Sequence, residues 1–166
     1  MIGHSERRHG FGEDDYTENK KVKKALASGF TTLLCVGETA QEKEFGISAE
    51  VLRSQLKVGL HGVKKEQIDR VWIAYEPVWS IGVNGTPAPV DYAEEMHKVI
   101  KDCLVELFGE EGRQIPALYG GSVNPDNSNA LITQPDIDGL FTTRTAFKVD
   151  AFAKLIRDAI EACKAN

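Results

Sequence analysis

Val71-Trp-Ile-Ala-Tyr75, followed by Glu76-Pro-Val-Trp-Ser-Ile-Gly-Val-Asn-Gly-Thr-Pro87, decides how this chain is read. The first five residues are almost continuously apolar and rich in β-formers, as fully covered parallel strands are. The stretch after them is flanked by prolines and carries Trp79 with glycines at its far end, which reads as a lid. Pro77 stiffens the near hinge, while Gly82 and Gly85 permit the backbone angles that a moving loop needs. A carboxylate at the root of such a lid loses water when the lid closes, and desolvation raises its pKa and its strength as a base. Glu76 is therefore a candidate general base. An ordinary acidic residue solvated at a strand end is the alternative for Glu76 taken alone.

Working outward, Thr32–Val36, Pro116–Tyr119 and Ile137–Phe141 are strands of the same kind. Between them lie segments of helical period: Thr17 to Ala27 ended by Gly29, Ser48 to Leu60 with Ser48 as N-cap, the stripe Ala93, Met96, His97, Ile100, Leu104 and Leu107, and the stripe Phe152, Leu155, Ile156, Ala159 and Cys163. Helices and strands alternate without a Pro/Ser-rich linker, so the spacing predicts an α/β fold with a parallel sheet, right-handed crossovers and chemistry beyond the carboxyl ends of the strands.

The unusual residues fall at those ends. Gly120-Gly-Ser-Val-Asn124 precedes Pro125, expected at helix position N1, and can present several N–H groups to an anion; a plain Gly-Gly turn is the alternative. Gly3-His4-Ser-Glu-Arg-Arg8 places His4 just past what can be only the stub of a strand. A helix N-terminus behind that ring would keep it neutral and able to donate, whereas an exposed terminal histidine is the simpler reading.

The sequence has 166 residues, a size suited to a single domain spanning 1–166. Apolar residues make up 42% and charged residues 27%, which excludes a disordered or low-complexity chain. The net charge of −5 leaves no basic field to draw nucleic acid or a membrane surface. No apolar run approaches a membrane span and the amino terminus lacks a signal pattern, so a cytoplasmic location is expected. Cys35, Cys103 and Cys163 are odd in number and widely spaced, which argues against a disulfide framework or a zinc site.

Four motifs, Gly-His-Ser-Glu-Arg-Arg at 3–8, Cys-Val-Gly-Glu-Thr at 35–39, Ala-Tyr-Glu-Pro-Val-Trp-Ser-Ile-Gly at 74–82 and Tyr-Gly-Gly-Ser-Val-Asn at 119–124, closely resemble the triosephosphate isomerase family, in the family's order. The resemblance covers the family's carboxyl-terminal part and implies a partial TIM (β/α)8 barrel of about four to five C-terminal βα units. It implies that Glu76 abstracts a proton beside a carbonyl while neutral His4 polarises that carbonyl, as described for this family. It implies further that backbone groups around Gly82 and Ser122 hold the phosphate of a small sugar phosphate. Tyr75, Trp79 and Glu38 take the positions at which the family's lid tryptophan exchanges hydrogen-bond partners. No metal or organic cofactor is implied.

Two departures stand out. The family's first strand supplies an asparagine and a lysine that contact substrate, and nothing here matches either; Glu6 is left without that lysine. Thr143 and Arg144 stand where the family has a Gly-Gly pair close to phosphate. Arg144, with Leu140-Phe141 and the lid sequence Val83–Ala88, looks more like the branch that isomerises tetrulose phosphates. Arg144 is then a phosphate or selectivity residue, a surface arginine being the alternative. An incomplete barrel exposes strand edges and one sheet face, so a homo-oligomer or a partly disordered monomer is expected. A catalytically silent half-barrel that serves as a binding or assembly module is the competing functional class.

Overall fold

A computed structural model describes residues 1–82, 85–143 and 145–165. Its centre is a parallel sheet of β1 (Thr32–Val36), β2 (Val71–Tyr75), β3 (Ala117–Tyr119) and β4 (Gly139–Leu140), each strand beside its sequence neighbour. The register is continuous: Val36 pairs with Tyr75, Tyr75 with Tyr119, and Tyr119 with Leu140. On the other side of β1, Ile2 makes a parallel bridge to Leu34, with its N–H on Leu33 O and its carbonyl accepting from Cys35 N, both at 2.8 Å. The expected strand stub is there. The α/β partial barrel with four strands and a fifth vestige matches the expectation.

β1 and β2 have the expected limits, whereas β3 and β4 are shorter than Pro116–Tyr119 and Ile137–Phe141. Pro116 has no N–H for a ladder, though its carbonyl accepts from Ile73 N at 2.8 Å. Ile137 and Phe141 flank a strand that pairs on one side only among the described residues.

The helices are α1 (Ser5–Phe11), α2 (Asp15–Ala27), α3 (Ala40–Glu44), α4 (Ser48–Gly59), α5 (Val90–Phe108), α6 (Ser128–Ile132) and α7 (Val149–Ala165). α2 begins two residues before the expected Thr17, because Asp14 caps it: the Asp14 carboxylate accepts from Thr17 N at 2.8 Å, and Thr17 is the N3 partner of a reciprocal box. It ends as expected, with Gly29 at φ +83°. Ser48 is not a cap. It is the first residue of α4, Ile47 precedes it without a side-chain cap bond, and the Ser48 hydroxyl bonds Tyr92 Oη at 2.9 Å instead. Pro125 does not open a helix either. The Asn124 carboxamide accepts from Asp126 N at 2.8 Å and Asn127 N at 3.3 Å, a turn that delays α6 to Ser128.

The two sheet faces differ. Leu34, Ile73 and Ala117, then Val36, Tyr75 and Tyr119, lie in register on the face covered by helices, and all are buried. On the opposite face Trp72 is 42% exposed, and Leu33 and Leu118 are half-buried. Of the α7 stripe only Leu155 is buried; Phe152 and Ile156 stay 36% and 42% exposed. The sheet stops at β4, so no further strand lies beneath the rest of the stripe among the described residues. No helix among the described residues is long and apolar enough to cross a membrane.

Candidate active site

His4 is placed by a guanidinium clamp. Arg8 Nε donates to Gly3 O at 2.9 Å, Arg8 Nη2 to Cys35 O at 3.1 Å, and Arg8 Nη1 to Asp15 Oδ1 at 2.6 Å, with buried Glu18 as a further ion-pair partner. Gly3 has φ +78°, and a Cβ there would stand 2.9 Å from the Glu18 carboxyl carbon and 3.0 Å from Cys35 O. The chain leaving the strand stub therefore turns at a glycine and presents the next residue to the sheet end. His4 is also the N-cap of α1: its Nδ1 accepts from Glu6 N at 3.3 Å, so in the neutral ring the proton sits on Nε2. The helix start anticipated behind the ring is present.

Glu76 leaves β2 on the same side. Its Oε1 lies 3.4 Å from His4 Nε2, its side chain is only 4% exposed, and Oε2 is buried with no hydrogen-bond partner. Burial raises its pKa above the ordinary carboxylate value, against the opposing pull of His4 and of a hydrogen bond from Cys35, while Glu6 adds to the rise. Cys35 is buried and is the weak donor beside this carboxylate. Backbone at two glycines allows the carboxylate its place. A Cβ at Gly37 would sit 1.9 Å from Glu76 O, and one at Gly120 would sit 2.8 Å from Glu76 Cγ.

A cavity of about 200 Å³ opens between these residues at the carboxyl ends of the strands. At ~30 Å³ per liquid water it holds a small ligand only. His4, Glu6 and Glu76 line it, with Gly82 from the segment after β2, Gly120 and Gly121 after β3, and Phe141, Thr142 and Thr143 after β4. Thus His4, Glu76, Gly82 and Thr143 converge. Ser122 does not line the cavity; its N–H donates to Ser80 Oγ at 3.2 Å. Arg144 lies outside the described residues, as do Val83 and Asn84 of the segment read as a lid. The Glu6 carboxylate makes no hydrogen bond or ion pair among the described residues, and the described residues of the lining include two acids and no lysine or arginine. No cluster of three metal-ligating side chains occurs among the described residues.

The near end of the lid segment is held by a second constellation. Trp79 Nε1 donates to Glu38 Oε1 at 2.7 Å, Tyr92 Oη to the same oxygen at 2.9 Å, and Tyr75 Oη to Oε2 at 3.1 Å. Lys43 Nζ stands 3.9 Å from the Trp79 ring centroid and 4.9 Å from that of Tyr92. Tyr92, Lys43 and α3 were not anticipated from the sequence. The Thr39-x-x-Glu42 capping box, with Glu42 Oε2 on Thr39 N at 2.7 Å, was the signal for α3 and hence for where Lys43 points.

A family model described as triosephosphate isomerase matches residues 1–159. An L-erythrulose-1-phosphate isomerase of Rhizobium etli is 48% identical over 156 residues, covering 93% of this chain and 57% of that protein. A triosephosphate isomerase of Protochlamydia amoebophila is 44% identical over 159 residues, covering 95% of this chain and 60% of that protein. A triosephosphate isomerase of Carboxydothermus hydrogenoformans is 44% identical over 161 residues, with 96% and 64% covered. The chain spans about three fifths of the length of these relatives. Motif order, strand-end geometry and the matched length together show that this chain belongs to the triosephosphate isomerase family.

Proposed function

We propose that this chain carries the proton-transfer end of an aldose–ketose isomerase acting on a small sugar phosphate. The observation that carries the reading is that one cavity holds the His4 imidazole, with Nε2 3.4 Å from Glu76 Oε1, and the buried, unpartnered Glu76 Oε2. Glu76, made more basic by burial, takes a proton from the carbon beside the substrate carbonyl. The His4 Nε2–H donates to the carbonyl oxygen, the ring then takes the proton of the neighbouring hydroxyl so that the two oxygens exchange roles, and the enediolate is reprotonated on the neighbouring carbon by the Glu76 acid, which moves the carbonyl by one position. Gly82, Ser122, Thr143 and Arg144 are proposed to hold the phosphate. We read residues 1–166 as one domain of a cytoplasmic protein that self-associates through its open edge.

Among the described residues the cavity lining offers acids and no cation, which leaves Arg144 as the proposed counter-charge for the phosphate. A phosphate dianion entering a cavity lined by Glu6 and Glu76 meets like charge, and two unit charges at 4 Å interact by about 4 kcal/mol at an effective dielectric constant of 20.

The substrate is a triose phosphate, glyceraldehyde 3-phosphate or dihydroxyacetone phosphate, in the first reading. The second, a tetrulose phosphate, is favoured by the erythrulose-phosphate isomerase relative and by Thr143-Arg144 in place of two glycines. Deuterium incorporation from solvent into dihydroxyacetone phosphate and erythrulose phosphate, by the native chain and by Glu76→Gln, tests both. Exchange above the Glu76→Gln level supports the isomerase reading and its rate ratio assigns the substrate. No exchange above that level with either compound rejects turnover by this chain and favours the silent half-barrel.

A further inference from the structure

Ser80 ends a short 3-10 turn, Val78–Ser80, that follows the candidate base. Its side chain is wholly buried, and its hydroxyl faces two groups from the next strand and loop: Ser122 N–H at 3.2 Å and Tyr119 Oη at 3.5 Å. The space for these hydroxyls exists because residue 121 lacks a side chain. A Cβ at Gly121 would lie 2.2 Å from Tyr119 Oη and 2.9 Å from Ser80 Oγ. Ser122 is pinned on its other side as well, where its carbonyl accepts from Asn127 Nδ2 at 2.8 Å. Gly121 and Val123 line the cavity on either side of it, while Ser122 itself is held back.

We propose that Ser80 is a positioning residue whose hydroxyl acts as a placeholder on the Ser122 amide, occupying that N–H until an oxygen of a bound phosphate takes it. The inference rests on the sugar-phosphate reading of the cavity and deepens it. A hydroxyl and a phosphate oxygen are both acceptors for the same donor, so each bond excludes the other in its best geometry. The Ser122 N–H is part-buried, and a shielded N–H without an acceptor is unfavourable, which gives the placeholder its use before the anion binds. A buried hydroxyl without a partner is also unfavourable, and Tyr119 Oη stands ready when Ser80 is displaced. The consequence is that anion affinity is set lower than the amide alone would allow.

The test compares the native chain, Ser80→Ala and Ser80→Thr, by hydrogen exchange of the Ser122 amide and by titration with inorganic phosphate. Removal of one neutral hydrogen bond corresponds to about a fivefold change in an equilibrium constant. The expected results are faster exchange of Ser122 in ligand-free Ser80→Ala, phosphate binding about fivefold tighter in that variant, and restoration of both native values by Ser80→Thr. Unchanged Ser122 exchange, or phosphate binding that is equal or weaker in Ser80→Ala, overturns the placeholder and leaves the sugar-phosphate reading standing. Absence of phosphate binding in every variant overturns the sugar-phosphate reading and the placeholder with it.

Discussion

Trp79 donates its indole N–H to Glu38 Oε1 at 2.7 Å, so the residue three places after the candidate base is anchored to the loop that follows β1. That bond belongs to a carboxylate that is 0% exposed and that also serves Tyr75 and Tyr92. Buried carboxylates of this kind hold several elements at once, and removing this one leaves Tyr92 its bond to Ser48 Oγ but takes the carboxylate acceptor from Tyr75 and Trp79. Glu38→Ala is expected to destabilise the chain by about 3 kcal/mol or more, as Tyr75 Oη and Trp79 Nε1 lose their acceptor. Chemical denaturation followed by tryptophan fluorescence measures this; a loss below 1 kcal/mol contradicts the role given to the network.

Gly37 admits no side chain, since a Cβ would overlap the carbonyl oxygen of Glu76 at 1.9 Å. The obstacle is backbone and cannot swing away. Gly37→Ala should cost about 1–3 kcal/mol or more and should displace Glu76 from the cavity. The control is Gly46→Ala, where nothing lies within 4 Å of the new Cβ. That glycine has φ +71°, so its expected cost is backbone strain alone, about 1 kcal/mol. Equal losses at the two positions would contradict the close approach.

Two buried groups give the stability opposite slopes with pH. Burial pushes Glu18 up to about 7, against the pull of Arg8, from an ordinary value of 4.5. The folded state then binds more protons than the unfolded one between about 4.5 and 7, and stability falls as pH rises through that window. Burial pushes His97 down to about 3 from 6.5, so the unfolded state binds more protons in that range and stability rises as pH rises from 3 to 6.5. The slopes oppose each other where the windows overlap. Glu18→Gln should remove the falling branch and gain on the native chain by a few kcal/mol between pH 4.5 and 7. Urea unfolding across pH measures the difference; parallel profiles would contradict it.

Ile156 and Ile160 are 42% and 49% exposed on α7, beside an apolar groove formed with Leu140 and Ile132. Self-association through this open side predicts a concentration-dependent rise in sedimentation coefficient that Ile156→Glu with Ile160→Glu abolishes. A compact monomer at all concentrations would contradict it.

Much of the fold was legible because parallel strands such as Thr32–Val36 and Val71–Tyr75 carry apolar residues on both faces and have a glycine or proline within two residues of their ends. His4 and Glu76 were legible as strand-end residues, and the strand stub brings them together through Ile2 pairing with β1. What escaped notice depends on long-range partners. Ser48 looks like a cap in sequence, but Tyr92 from α5 claims its hydroxyl. Ser122 looks like an exposed donor in a glycine loop, but Ser80 claims its amide. Pro125 looks like a helix start, but Asn124 closes its own turn first.

The ring nitrogens of His4 test the central claim most directly. With 15N-labelled histidine at a pH where the ring is neutral, the account predicts the Nε2–H tautomer in the native chain and a displaced Nε2 resonance in Glu76→Gln. A proton on Nδ1, or His4 resonances that ignore the substitution, would place the two side chains in separate environments and contradict the shared site.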